Sequence, residues 1–214
     1  MNSNKIHTLW PIFTGEFHNP KHHELKKELI NFFQEYEIKN KTSRKGAENL
    51  NLYESGYFLH KEKNNALLKI INFIAEAFSI MAKNINQQEF DNIKNENTKL
   101  AVEIINSWFI RYNKGGMVTP HDHPGCSLSC VYYVQIGDDT ALDNGSTYFL
   151  RPFVRGTSHT DFAGTRYNKG VQVFKAEEGK LLIWPSFLVH GSNPYLGHKN
   201  RIIISANANV VVKK

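Results

Sequence analysis

Apolar residues recur at helical spacing in two stretches of the first hundred residues, and at alternate positions through much of the rest. Asn19-Pro20 is followed by Leu25, Leu29, Ile30, Phe32 and Phe33, the buried stripe of an amphipathic helix. A second helix is predicted over Asn65 to Ile85, with Leu67, Ile70, Ile71, Ile74, Phe78 and Met81 on one side. Ahead of them, Thr8 to Phe17 places Leu9, Trp10, Ile12 and Phe13 around Pro11. That segment reads as an edge strand, because proline cannot donate to a central ladder. Lys39 to Asn51 is polar and reads as a loop.

The texture changes near Leu100. Val102, Ile104, Trp108, Ile110 and Tyr112 mark a strand that closes at the Gly115-Gly116 turn. Further strands are expected over Ser127–Gln135, Ser146–Leu150, Val171–Lys175, Lys180–Ile183 and Arg201–Val211. Short strands divided by glycine and asparagine turns predict a β-sandwich or jelly roll. The fold class is mainly β with flanking helices that cover one outer face and leave the other as the mouth. One domain over 1–214 is expected, with helical support at about 19–90 and a jelly-roll core at about 100–212. Arg151–Gly170 lacks periodicity and is a candidate lid that carries Arg151, Arg155, His159, Arg166 and Tyr167.

Composition narrows the class. No apolar run approaches the roughly 20 residues that span a bilayer, and Met1–Ile12 lacks the pattern of a secretory signal. Cys126 and Cys130 form no CxxC pair, so both are expected as reduced thiols in a cytoplasmic protein. The net charge of +6 lies largely in Lys21–Lys45 and the C-terminal lysines. A solvated helix face accounts for it better than a nucleic-acid surface, and no membrane partner is implied. A homodimer stays open.

The chemistry lies in Pro120-His121-Asp122-His123-Pro124. On an extended chain His121 and His123 point to one side and Asp122 to the other, so two imidazoles can meet one metal ion. Neutral imidazole suits several metals, so the pair alone does not name one. Downstream, the strand Lys180–Trp184 ends in a proline turn that delivers His190. Arg201 then opens a strand on which residues 201, 203, 205 and 207 share a face. This lines a polar interior with Arg201, Ser205 and Asn207. A buried guanidinium needs a partner, and its fork matches a carboxylate. No inward acidic residue is evident nearby, which favours a bound carboxylate ligand. His7, His18, His22, His23, His60 and His198 sit in polar or helical surroundings and are expected at the surface.

The order HxD…H…RxS resembles the signature of iron(II)/2-oxoglutarate oxygenases, which fold as a double-stranded β-helix (cupin-like jelly roll). The wording is closest to a branch with phage and marine bacterial members. It shares His121-Asp122-His123-Pro124, Leu128-Ser129-Cys130-Val131-Tyr132-Tyr133-Val134, Trp184-Pro185-Ser186 to His190, and Arg201 to Asn207. The resemblance implies His121, His123 and His190 as metal ligands, and Arg201 as the clamp for the distal carboxylate of 2-oxoglutarate. It further implies Tyr133, Tyr112, Ser129 and Ser205 as cosubstrate-pocket residues. Fe(II), 2-oxoglutarate and O2 would be required, and succinate and CO2 released, with a hydroxylated product.

Alternatives remain at this point. The family at large has a carboxylate where this chain has His123; three neutral ligands leave more positive charge on the metal. That favours a dianionic cosubstrate and weakens metal retention. A shifted register could bring in Asp122 in place of one histidine. Tyr112 could be a plain core aromatic, and Ser205 could bond only the neighbouring strand. A cupin-like metal module without oxygenase activity has no need of Arg201 with Tyr133, whereas an open three-histidine site could also serve a zinc hydrolase. The substrate is not written in the sequence: protein side chains, amino acids and nucleotides all fit.

Overall fold

The computed structural model describes residues 5–213 except 7, 9, 42, 43, 45, 94–97, 139, 140, 142, 154–161, 163 and 165–168. Two antiparallel sheets face each other, and helices cover the outside of the larger one. The larger has the order β1 (Gly15–His18), β8 (Lys180–Pro185), β5 (Leu128–Gln135), β10 (Arg201–Lys213), β3 (Lys99–Tyr112), β2 (Leu52–Glu54). The smaller runs β4 (Val118–His121), β9 (His190–Ser192), β6 (Thr147–Leu150), β7 (Val171–Phe174).

Strand alternation divides the interior in two. Along β10, Ile202, Ile204, Ala206 and Ala208 turn toward the helices, where they pack with Cys130, Tyr132 and Val134 of β5 and Phe109 of β3. Ile203, with Val131, Tyr133, Trp108, Ile110, Tyr112, Leu182 and Trp184, fills the space between the sheets. A two-residue period thus sends one half of each central strand to the core under the helices and the other half to the site.

Helices α1 (His22–Lys39) and α2 (Asn65–Ile85) complete the first core. Leu25, Leu29 and Phe33 repeat every four residues on α1, and Phe33 stacks on Phe109 at 4.3 Å between ring centroids. Asn64 starts α2 by accepting a hydrogen bond from the Leu67 backbone N–H at 2.9 Å, an N-cap that meets one of the helix's free donors. The α2 stripe from Ala66 to Met81 lies against β3, β8 and β10. Contrary to the expectation that no apolar run approaches a membrane span, α2 has the length and mean hydropathy for one (1.4 over 18 residues), although its stripe is packed against the larger sheet.

The predicted pattern differs from the structure in several places. The edge strand begins only at Gly15; Trp10 ahead of it is 89% exposed, with φ of 48°. Strands β2, β4 and β9 and helix α3 (Gln87–Ile93) were not anticipated, being three to seven residues long. His22, expected at the surface, is 2% exposed and sits beneath α1, its Nδ1 2.8 Å from the Tyr132 hydroxyl. Most of the candidate lid, including Arg155, His159, Arg166 and Tyr167, lies outside the described residues, as does His7.

Candidate metal centre

Pro120 is accommodated in β4 because that strand is the free edge of the smaller sheet, where no neighbour needs its missing N–H. Its other edge pairs with β9, and His121 and His190 are direct Cα partners. A register shift between Val118 and His121 adds one residue to β4 there. His123 follows two residues beyond the strand, pinned by its backbone N–H donating to the Ser186 carbonyl at 3.0 Å. The alternation read from sequence is seen here: Asp122 is exposed while its two neighbours turn inward.

The three imidazoles converge. Ring centroids lie 4.8 Å apart for His121–His123, 4.4 Å for His121–His190 and 5.1 Å for His123–His190. Their ligand nitrogens all fall within 4.8 Å of one another, a spacing that could hold one metal ion. His121 Nδ1 lies 2.8 Å from the Thr119 carbonyl, and His190 Nδ1 lies 2.8 Å from the Leu188 carbonyl. A carbonyl only accepts, so each Nδ1 carries the proton and each Nε2 keeps its lone pair for a metal. Burial lowers the His190 pKa to about 3, with the other two histidines adding to it against the Leu188 carbonyl. Burial, then His121, lowers His123 to about 4. Both rings are therefore neutral near pH 7, the form that ligates.

Across the cavity lies Arg201, 1% exposed, with none of its three guanidinium nitrogens hydrogen-bonded among the described residues. Its Cζ sits 4.2 Å from the Tyr112 ring centroid and 5.5 Å from that of Tyr133. The Tyr133 hydroxyl is 2.8 Å from Thr147 Oγ1. Burial raises the Tyr133 pKa despite Arg201, so the phenol stays protonated and able to donate. Gly145 lets the chain pass beside the guanidinium: a Cβ there would stand 2.8 Å from Arg201 Cδ and Nε. A cavity of about 640 Å³ connects this end to the histidines, lined among others by Tyr112, Thr147, Ile203 and Ser205.

This donor set fits iron(II) with a dicarboxylate: three neutral nitrogens for a metal, and a buried cation lacking its anion. The sequence carries the same answer, for residues 106–207 match the family described as "Putative 2OG-Fe(II) oxygenase". Residues 106–207 are a 2OG-Fe(II) oxygenase domain. Its cosubstrate is 2-oxoglutarate and its metal iron. No curated protein matches the chain in sequence.

Solved structures agree with the oxygenase fold. A Pseudomonas putida prolyl-4-hydroxylase is similar over 92% of this chain and 93% of its own, with TM-score 0.58 at 12% identity. AviO1 from Streptomyces viridochromogenes matches over 92% and 90%, with TM-score 0.57 and 12% identity. A viral collagen prolyl hydroxylase from Paramecium bursaria Chlorella virus-1, solved with 2OG, matches over 92% and 96%, with TM-score 0.51 and 14% identity. The oxygenase fold is thus a double-stranded β-helix with flanking helices.

The remaining predicted residues separate within the oxygenase domain. Tyr112 and Tyr133 stand at the Arg201 end. Ser205 lines the cavity on the rung with Trp108. Ser129 lies four residues from Tyr133, and its hydroxyl meets Ser186 Oγ at 2.8 Å beneath the turn carrying His123. It supports that turn rather than the arginine. Cys126 Sγ lies 3.3 Å from the His123 carbonyl and 3.2 Å from Ser186 Oγ, while Cys130 faces the helices, where burial pushes its thiol pKa up. Thr147, Ser192 and Asn106 were not singled out from sequence. For Ser192 the signal existed, since it follows His190 by two residues on one strand. For Thr147 and Asn106 it did not, because their neighbours are set by pairing across the sheets.

Proposed function

We propose that His121, His123 and His190 hold iron(II), that Arg201 receives the distal carboxylate of 2-oxoglutarate, and that the chain hydroxylates a further substrate. The carrying observation is the unpartnered guanidinium of Arg201, buried against Tyr112, whose side chain lines the same cavity as the three histidines. An isolated buried charge is too costly to keep unless a ligand meets it. A plain metal module has no use for such a group. When bound, iron activates O2 at the expense of 2-oxoglutarate, which leaves as succinate and CO2.

The chain's own residues bind and exclude. The Thr119 and Leu188 carbonyls fix which nitrogen of His121 and His190 is free. Tyr133 offers its hydroxyl beside Arg201, and Tyr112 lies against the guanidinium face. Ile203, Val131 and Ile110 line the cavity with apolar surface. Ser205 and Ser129 serve in this reading as supporting polar groups. Asp122 is exposed and its carboxylate is not among the clustered ligand atoms, so the three-histidine set is preferred to one containing it. The whole chain acts as a single domain in a cytoplasmic setting, with Cys126 and Cys130 reduced. Assembly as a homodimer would leave this chemistry unchanged, because every group named belongs to one chain.

Anaerobic titration with Fe(II) and 2-oxoglutarate tests the reading through the visible charge-transfer band of the complex. Wild type should develop the band. Arg201→Ala should retain metal and lose 2-oxoglutarate binding, and His190→Ala should lose metal with the fold intact by circular dichroism. A wild-type protein without the band at saturating metal and 2-oxoglutarate would overturn the assignment.

A further inference from the structure

The cavity has a second polar end that the cosubstrate leaves unused. Arg201 pairs with Tyr112 across β10 and β3; the same-face rungs that follow are Ile203–Ile110, Ser205–Trp108 and Asn207–Asn106. The Trp108 ring lies 5.7 Å from that of His123, so the histidines stand beside the third rung. Asn106 and Asn207 therefore lie beyond the metal site, at the far end from the arginine, and both line the cavity. β3 carries an extra residue here, Ile105, opposite Asn207–Ala208. Bulges of this kind re-aim side chains beside active sites.

Asn207 Nδ2 donates to Asn106 Oδ1 at 2.7 Å. Its own Oδ1 has no hydrogen-bond partner among the described residues, although Asn207 is only 3% exposed. A buried acceptor left unmet is costly, so this atom awaits a donor. Beside it, Asn106 keeps amide protons that are not used in the pair. Rotating both amides exchanges the roles and still leaves one donor next to one acceptor. The complement of such a pair is an N–H beside a C=O.

Charge selects among molecules that carry that group. Arg44, at the rim, is committed to Glu54 at 3.2 Å, and Asp122 is exposed nearby. A phosphate or a free amino-acid carboxylate meets no uncommitted cation at this end among the described lining residues. Tyr57 and Trp108, edge to face at 5.3 Å, add an apolar wall.

The geometry points to a neutral peptide as the primary substrate, one of its amide units gripped by Asn106 and Asn207 with a neighbouring residue presented to the histidines. This inference rests on the oxygenase reading. The test uses full-length protein loaded with 2-oxoglutarate and zinc in place of iron, so that NMR signals stay sharp. The probes are a pool of tripeptides with acetylated N-termini and amidated C-termini, AMP, and free amino acids. Capped peptides should shift the Asn106 and Asn207 side-chain amide signals. Asn106→Ala and Asn207→Ala should each weaken that binding by about 10-fold, the worth of a hydrogen bond at this scale. 2-Oxoglutarate binding should be unchanged in both. Asn106 is half-buried, so its variant keeps the test valid should Asn207→Ala misfold. Peptide binding indifferent to both variants, or binding of AMP or amino acids in preference to peptides, overturns the proposal. So does a protein that takes up 2-oxoglutarate but none of the probes. Failure to bind 2-oxoglutarate at all would instead overturn the reading beneath it.

Discussion

Arg201 is the residue whose energetics depend most on what binds. Without a ligand it is a buried cation, offset by the Tyr112 ring at 4.2 Å rather than by an anion. Cation–π contact recovers about 2 kcal/mol in a desolvated site, less than the burial of an unpaired charge costs. Arg201→Met should therefore raise the stability of the ligand-free protein by roughly 1–2 kcal/mol while abolishing 2-oxoglutarate binding. Urea midpoints with and without 2-oxoglutarate check both halves, and a lower ligand-free midpoint would contradict the account. Gly145 is the backbone counterpart, with φ of 62° and no room for a Cβ against the arginine side chain. Gly145→Ala should cost about 1–2 kcal/mol from the left-handed conformation and also weaken 2-oxoglutarate, because the guanidinium must move. Unaltered affinity in that variant would show that the arginine tolerates displacement.

At the scale of elements, the joint between α1 and the larger sheet is where pH should act. His22 is packed under α1 against Tyr132, with Glu178 3.9 Å from its Nε2 and His23, Lys26 and Asn19 around it. Burial lowers its pKa below 6.5; Glu178 pulls upward, but Lys26 engages that carboxylate at 2.8 Å. With the folded value depressed, the unfolded chain takes up the proton first as pH falls through 6.5. Stability should decline over that window and be unaffected by His22 above it. Urea midpoints from pH 7.5 to 5 should fall more steeply for wild type than for His22→Asn; parallel slopes would remove His22 from the explanation. The same joint shows what sequence could not reveal. Helix α2 was legible because its stripe is long and Asn64 caps it. The long strands β3 and β10 were legible because alternation persists past six residues. The three-residue strands β2 and β9 offer no period to detect, and His22 was misjudged because burial comes from Tyr132, 110 residues away.

For the whole molecule, the site was legible wherever one strand carries the information: His121 with His123, and Arg201 with Ser205 and Asn207. It was not legible where partners meet across sheets, as Thr147 does with Tyr133. That division has a mechanical consequence. The histidine ligands belong to the smaller sheet and the turn beside it, whereas Arg201 belongs to the larger. Tyr133–Thr147 is one direct polar tie between the two sheets near the site. Metal and cosubstrate together would act as a cross-brace, fastened at one end to each sheet; metal alone grips only one side. Amide hydrogen exchange in β4, β6 and β9 should thus slow markedly when 2-oxoglutarate joins the metal, and much less with metal alone. Equal protection by metal alone would mean that the sheets are already rigidly joined. If the brace holds, departure of the succinate formed from 2-oxoglutarate would unfasten the two halves, and the release of the coproduct would loosen the walls around the product.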